Sequence, residues 1–188
     1  MFALIQYTTI VFLSVRQIVV LERPVLPNNL EAITPEDVQK LVTDSVPEGK
    51  TIEYKQDLYN LDASNQEYRV RQHEEMLKDI SSFANTLGGD LVIGIREDNG
   101  VAVEVCGFEI NNPDSLKLRI TQIVQNGIEP RLSFAIKSIE HSPGRSVFIL
   151  RVRQNLIAPH RVAYQGRFGR FYARTSSGAH PMDTSELR

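Results

Sequence analysis

Apolar residues recur along this chain with two different periods. In EYRVRQHEEMLKDISSFANTLGG (67–89), Val70, Met76, Leu77, Ile80, Phe83 and Ala84 fall at helical spacing, and Gly88 and Gly89 read as the stop signal. A second amphipathic segment, NPDSLKLRITQIVQNGIEP, starts near Asn112 and Pro113 and stops at Gly127. Upstream, Thr34-Pro35-Glu36-Asp37 combines a capping residue, a first-turn proline and acids at the positive end of the helix dipole; this helix is expected to end before Pro47. The remaining apolar runs read as strands: about Thr51 to Asp57, then DLVIGIRED (90–98), whose Leu91, Val92, Ile93 and Ile95 suggest burial on both faces. Asn99-Gly100 is a hairpin signal that pairs VAVEVCGFEI (101–110) back against that run. RLSFAIKSIE and SVFILRVRQ form another hairpin around Ser142-Pro143-Gly144, and RFYAR (170–174) is a short aromatic strand. Helices and strands alternate only in part, which predicts a mixed α+β chain with antiparallel pairs.

Two parts are expected: an amino-terminal extension and linker over 1–33, and one domain over 34–188. Residues 1–23 are rich in β-branched residues and lack Gly and Pro, but Gln6, Thr8, Thr9, Arg16 and Gln17 interrupt them, so a membrane span is not expected. They read as an element docking on the body, and RPVLPNNL after them as a linker. With 188 residues, 41% of them hydrophobic, the chain can bury a core. Its single cysteine, Cys106, has no partner for an internal disulfide, which fits a cytoplasmic setting.

The formal net charge of −2 conceals a segregation. From His141 to Met182 there are seven arginines (Arg145, Arg151, Arg153, Arg161, Arg167, Arg170 and Arg174), no lysine and no acid, whereas residues 1–140 hold 13 Lys and Arg against 21 Asp and Glu. An arginine-only tail is the footprint phosphate binding needs, because each planar fork can grip a phosphate with two hydrogen bonds. The bland alternative has these arginines pairing with the chain's own acidic half. Tyr164, Phe168, Phe171 and Tyr172 interleave with Arg161, Arg167, Arg170 and Arg174, an alternation suited to stacking unpaired bases while tracking a backbone. Of the four histidines only His160, beside Pro159 and Arg161, is placed near such a site.

EGKTIEYKQDL (48–58) carries the other candidate chemistry. As a strand it sets Glu53 and Lys55 on one face and Ile52 and Tyr54 on the other, with Glu48 in reach if the chain bends at Gly49. Either Glu53 and Lys55 form an exposed ion pair worth about 0–1 kcal/mol, or the acids form a metal or phosphate site. No Gly-x-x-x-x-Gly-Lys-Ser/Thr stretch is present, so nothing points to ATP.

Three segments together, EGKTIEYK (48–55), SSFANTLGGDLVIGIRED (81–98) and GRFYARTSSGAHPM (169–182), resemble the Schlafen and AlbA-like DNA-binding domain family. The resemblance implies a twisted mixed sheet with antiparallel hairpins packed against two main helices, and a nucleic-acid partner, DNA or RNA. Animal Schlafen relatives use a related core as a divalent-metal-dependent endoribonuclease on structured RNA such as tRNA. Carried over, their acids fall on Glu48, Glu53 and Glu97, with Mg2+ or Mn2+ as the metal and Lys55 beside the phosphate. This chain departs from that pattern, with Glu97 where the family has Asp and Arg96 where it has a second Asp. A homodimer is expected, since related cores join two such lobes in one chain. Three functions follow: a nucleic-acid-binding domain using Arg151, Arg153, His160, Arg161, Arg167, Arg170, Tyr172 and Arg174; a metal-dependent endoribonuclease; and a protein-interaction module that binds no nucleic acid. The first two require the acidic strand and the arginine-rich tail to line a common trough.

Overall fold

The Thr34 hydroxyl accepts a hydrogen bond from the Asp37 N–H while the Asp37 carboxylate accepts one from the Thr34 N–H, so the expected cap residue is held in both directions, and helix α1 (Pro35–Thr43) begins there. A computed structural model of the chain describes residues 25–155, 157–166 and 169–187. The segment 1–23, Arg167 and Phe168 therefore lie outside the described residues. Helices α2 (Gln66–Ala84) and α3 (Pro113–Gly127) start on asparagine caps, Asn65 and Asn112, whose side chains accept from the Tyr68 and Ser115 N–H groups. The strands are β1 (Ile52–Lys55), β2 (Gly88–Ile93), β3 (Ile95–Asp98), β4 (Val101–Val105), β5 (Phe108–Glu109), β6 (Ile128–Glu129), β7 (Phe134–Ser142), β8 (Arg145–Arg153), β9 (Arg161–Val162), β10 (Arg170–Thr175) and β11 (Gly178–Pro181).

The main sheet runs β1-β2-β8-β5, with β7 also paired to β8. Among the described residues only β1 and β2 pair in parallel, and the chain between them supplies the helical crossover a parallel pair needs. A second sheet, β11-β10-β9-β6, is antiparallel throughout, and β3 with β4 forms a separate ribbon. The fold is thus mixed α+β.

β2 and β8 are covered on both sides because their side chains alternate between two cores. Leu91, Ile93, Phe148, Leu150 and Val152 pack with Met76, Leu77, Ile80 and Phe83 of α2 and with Ile120, Ile123 and Val124 of α3. Val92, Val147 and Ile149 pack on the other side with Val38 and Leu41 of α1 and with Ile52 and Tyr54 of β1. Leu26, Leu30 and Ile33, in and just after the stretch that reads as a linker, are buried in this second core.

Two expectations need correction. The glycines read as the stop of α2 are the first residues of β2; the helix ends at Ala84 and Asn85 caps it. DLVIGIRED is two strands, because Gly94, at φ 104°, turns the chain out of the main sheet and into the β3–β4 ribbon. The Asn99-Gly100 hairpin therefore joins β3 to β4, while β2 finds its partners in β1 and β8. Among the described residues no helix is long and apolar enough to cross a membrane.

Candidate functional site

β1 lies at the border of the main sheet, and the loop before it closes the outward-facing edge. The Gly49 N–H donates to the Ile52 carbonyl (3.0 Å), and the Tyr54 N–H donates to Glu48 Oε1 (2.7 Å). A carboxylate thus takes the place of a missing neighbour strand, which keeps the edge from pairing elsewhere. Gly100 sits between Glu48 and Glu97: its carbonyl accepts from the Glu48 N–H (2.6 Å), and its own N–H donates to the Glu97 carboxylate.

Burial pushes the Glu48 carboxyl above its ordinary value, and the neighbouring Glu53 and Glu97 charges add to the shift. Because folded Glu48 holds a proton that the unfolded chain has released, stability falls as pH climbs upward from about 4.5. Urea midpoints of wild type and Glu48→Gln should therefore converge near pH 4 and separate toward pH 7, the variant being the more stable. Separation in the opposite sense would show that the Glu48 charge stabilises the edge.

Glu53 and Lys55 point to the other face of β1, toward α2, as the alternation predicts. Lys55 Nζ donates to Glu53 Oε1 (2.6 Å), while Arg174 of β10 pairs with Glu53 Oε2. The Arg174 side chain is 0% exposed; its guanidinium lies 4.2 Å over the Phe83 ring and reaches the Ser82 hydroxyl and the Gly49 carbonyl (3.4 Å each). Asp79 of α2 continues the network, accepting from the Tyr59 hydroxyl (2.6 Å) with Lys55 at 3.9 Å and Lys78 at 3.8 Å. Burial pushes the Glu53 carboxyl up, but Lys55 and Arg174 outweigh it and the net shift is downward. Burial raises Asp79 despite Lys55.

Both Glu53 oxygens are thus held by cations, and among the described residues no group of three or more His, Cys, Asp or Glu is disposed to hold a metal ion. Glu48, Glu53 and Glu97 share a neighbourhood without forming a set of open oxygen ligands, so as arranged they do not fit Mg2+ or Mn2+. The acidic strand and the arginine-rich tail do meet, but through Arg174 inside the protein, because a desolvated guanidinium needs a charged partner. Asp79 and Tyr59 were missed by sequence reasoning. The available signal was a carboxylate next to Ile80 on the apolar stripe of α2.

The residues expected on nucleic acid separate into two groups. Arg151 forms a two-pronged pair with Asp90 (2.7 Å for each bond) and donates to the Pro27 and Asn28 carbonyls, tying β8 to the entering chain. Arg161 pairs with Glu129 (2.9 Å) across β9 and β6. His160 is buried with Nδ1 2.6 Å from the Pro130 carbonyl, which only accepts, so Nδ1 carries the proton. Arg151, His160 and Arg174 are used internally, and Arg161 is paired at the surface.

Arg153 and Arg170 are exposed, and their side chains make no hydrogen bond or ion pair with another described residue. Arg153 borders a cleft of about 460 Å3 with Gly88, Gly89 and Asn28. Arg170 and Tyr172 enter a second cleft of about 410 Å3 between α2 and β9–β10, together with Val162, Tyr164 and the helix residues Arg71, Glu74, Glu75 and Lys78. His73 fixes the Tyr164 wall: its Nε2 lies 2.9 Å from the Leu61 carbonyl and so carries the proton, leaving Nδ1 to accept from the Tyr164 hydroxyl (2.6 Å). Burial lowers the His73 pKa and favours this neutral form.

The FANTLGG stretch holds this arrangement together. Asn85 donates to the His160 and Tyr172 carbonyls (2.8 Å each) and accepts from the His160 N–H (2.6 Å), so one side chain joins the end of α2 to both walls of the second sheet. The Thr86 hydroxyl accepts from the Arg174 N–H (3.0 Å).

The family described as Schlafen, AlbA_2 matches residues 48–183. Solved structures that resemble the chain include the DIP2311 protein from Corynebacterium diphtheriae, at 18% identity and a TM-score of 0.48. That similarity covers 79% of this chain and 26% of that one, so the chain spans about a quarter of its length. The amino-terminal domain of a RecG-related protein from Nitrosomonas europaea is similar at 16% identity and a TM-score of 0.45, over 69% of this chain and 78% of that one. No curated protein matches the chain.

Proposed function

We propose that this chain, which belongs to the Schlafen AlbA_2 family, binds nucleic acid through the cleft between α2 and β9–β10. Arg170 carries the proposal: an exposed guanidinium with no acid paired to it among the described residues, in a concave site beside two tyrosines. A part-buried ion pair holds Arg151, a buried one holds Arg174, and Arg161 pairs at the surface, which is what a protein-interaction module would require of its arginines. Arg170 and Arg153 depart from that pattern. They are free to neutralise phosphates, as Lys78 and Arg71 at the cleft wall are once their surface pairs with Glu75 and Glu67 exchange. Both Glu53 oxygens are engaged by Lys55 and Arg174, so this reading rests on binding alone.

Fluorescence anisotropy with labelled single-stranded RNA and DNA tests it. Three phosphate contacts in this cleft, from Arg170, Lys78 and Arg71, predict a slope of log K against log salt of roughly −2, and Arg170→Ala should lower affinity and reduce the slope by about 0.7. Absence of binding at low salt, or an unaltered slope in Arg170→Ala, would overturn the proposal. A homodimer belongs to the same proposal: among the described residues no strand pairs with the outer edge of the nine-residue β7, and a second copy's β7 would extend the sheet. Light scattering of the binding-competent protein should give twice the chain mass; a single-chain mass would remove the dimer and leave the cleft untouched. The lone Cys106 supports a cytoplasmic setting for this activity.

A further inference from the structure

We infer that the α2–β10 cleft takes an unpaired nucleotide and prefers a base whose Watson–Crick edge carries an amino group, with Glu75 as the residue that reads it; this rests on the cleft being the nucleic-acid site. The wall contributed by α2 is an ordered stripe: Arg71, Glu74, Glu75 and Lys78 stand at i, i+3, i+4 and i+7, one face of the helix. Cations occupy the two ends of the stripe, about 10 Å apart along the axis, and the carboxylates occupy its middle. Arg170 faces it from β10.

A phosphate rail lying along the stripe would meet repulsion at its centre. A ligand that is anionic at both ends and rich in hydrogen-bond donors between them matches the sequence of charges, and a nucleotide flanked by its two phosphates is such a ligand. The aromatic wall supplies the remaining contact. Tyr164 is held by His73, Tyr172 is half-buried with its carbonyl held by Asn85, and a base laid on either ring gains stacking that requires it to be out of a duplex.

Glu74 is already engaged. Glu75 pairs with Lys78 through Oε2, and its Oε1 has no partner among the described residues; the side chain is 55% exposed, so it can turn to a ligand without unfolding the helix. A carboxylate oxygen accepts from the N4 amino group of cytosine and repels the O4 carbonyl of uracil, which stands in the same position. Cytosine and uracil therefore form the sharpest pair of probes.

Binding of labelled 12-mers of ribocytidine and ribouridine, and of a duplex of the same length, would be measured at pH 7.5 in low salt for wild type, Glu75→Gln and, as a control outside the cleft, Glu109→Gln. The cytidine strand is expected to bind roughly tenfold tighter than the uridine strand, and the duplex more weakly than the cytidine strand. In Glu75→Gln the ratio should collapse toward one, because an amide presents a donor to uracil as readily as an acceptor to cytosine; in Glu109→Gln it should persist. Equal binding of the two strands, a duplex at least as tight, or a ratio unmoved by Glu75→Gln would overturn the inference and leave the binding site standing. No binding of any of the three would instead remove the binding function itself.

Discussion

Replacing Arg174 by alanine is expected to lower the unfolding free energy by about 3–5 kcal/mol, because Glu53 then stays buried with only Lys55 to compensate it. The guanidinium has no exposed surface and makes every contact it has inside the fold, so water does not replace what is lost. Loss of the stacking over Phe83 adds to the penalty. The comparison that identifies the cause is the double variant Glu53→Gln with Arg174→Met, which removes both charges and keeps most of the volume; it should recover much of the stability lost by Arg174→Ala. Urea unfolding of the three proteins reads the difference. A loss below about 1 kcal/mol in Arg174→Ala would mean that the pair behaves as a surface ion pair.

Gly89→Ala is the second large effect. A Cβ there would stand 2.5 Å from the Phe83 ring and 2.6 Å from the Thr51 carbonyl oxygen. The ring is fully buried, and the carbonyl already accepts the Asp90 N–H that begins the β1–β2 pairing, so neither neighbour can retreat cheaply. Overpacking of this kind costs about 1–3 kcal/mol, and more where backbone must move. Gly49→Ala makes the informative contrast, since a Cβ at that position meets nothing within 4 Å. Thermal melts should show a marked loss for Gly89→Ala and little change for Gly49→Ala; equal melts would mean that the end of α2 adjusts freely.

Local patterns carried most of the fold into view. The cap at Thr34, the amphipathic stripes of α2 and α3 and the Asn99-Gly100 turn are each written within a few residues, and each formed as expected. The strand breaks were harder to read, because Gly94 looks like any residue of an apolar run until its positive φ shows the bend. Glu53 and Lys55 were legible as neighbours on one face, but their third partner, Arg174, is 121 residues away from Glu53, and no periodicity links such positions. The same distance hid the division among the arginines. Arg151 and Arg170 look alike in sequence, and only the fold sets Asp90 against the first and leaves the second in an open cleft.

The second sheet and the turn between β9 and β10 are fastened to α2 and β1 by side chains far apart in the chain: Tyr164 with His73, Tyr172 with Asn85, and Arg174 with Glu53, 91, 87 and 121 residues apart. Closing loops of such length is slow relative to local pairing. During synthesis Glu53, Asn85 and His73 leave the ribosome long before their partners exist, so both walls of the α2–β10 cleft come together only when the last fifth of the chain has been made.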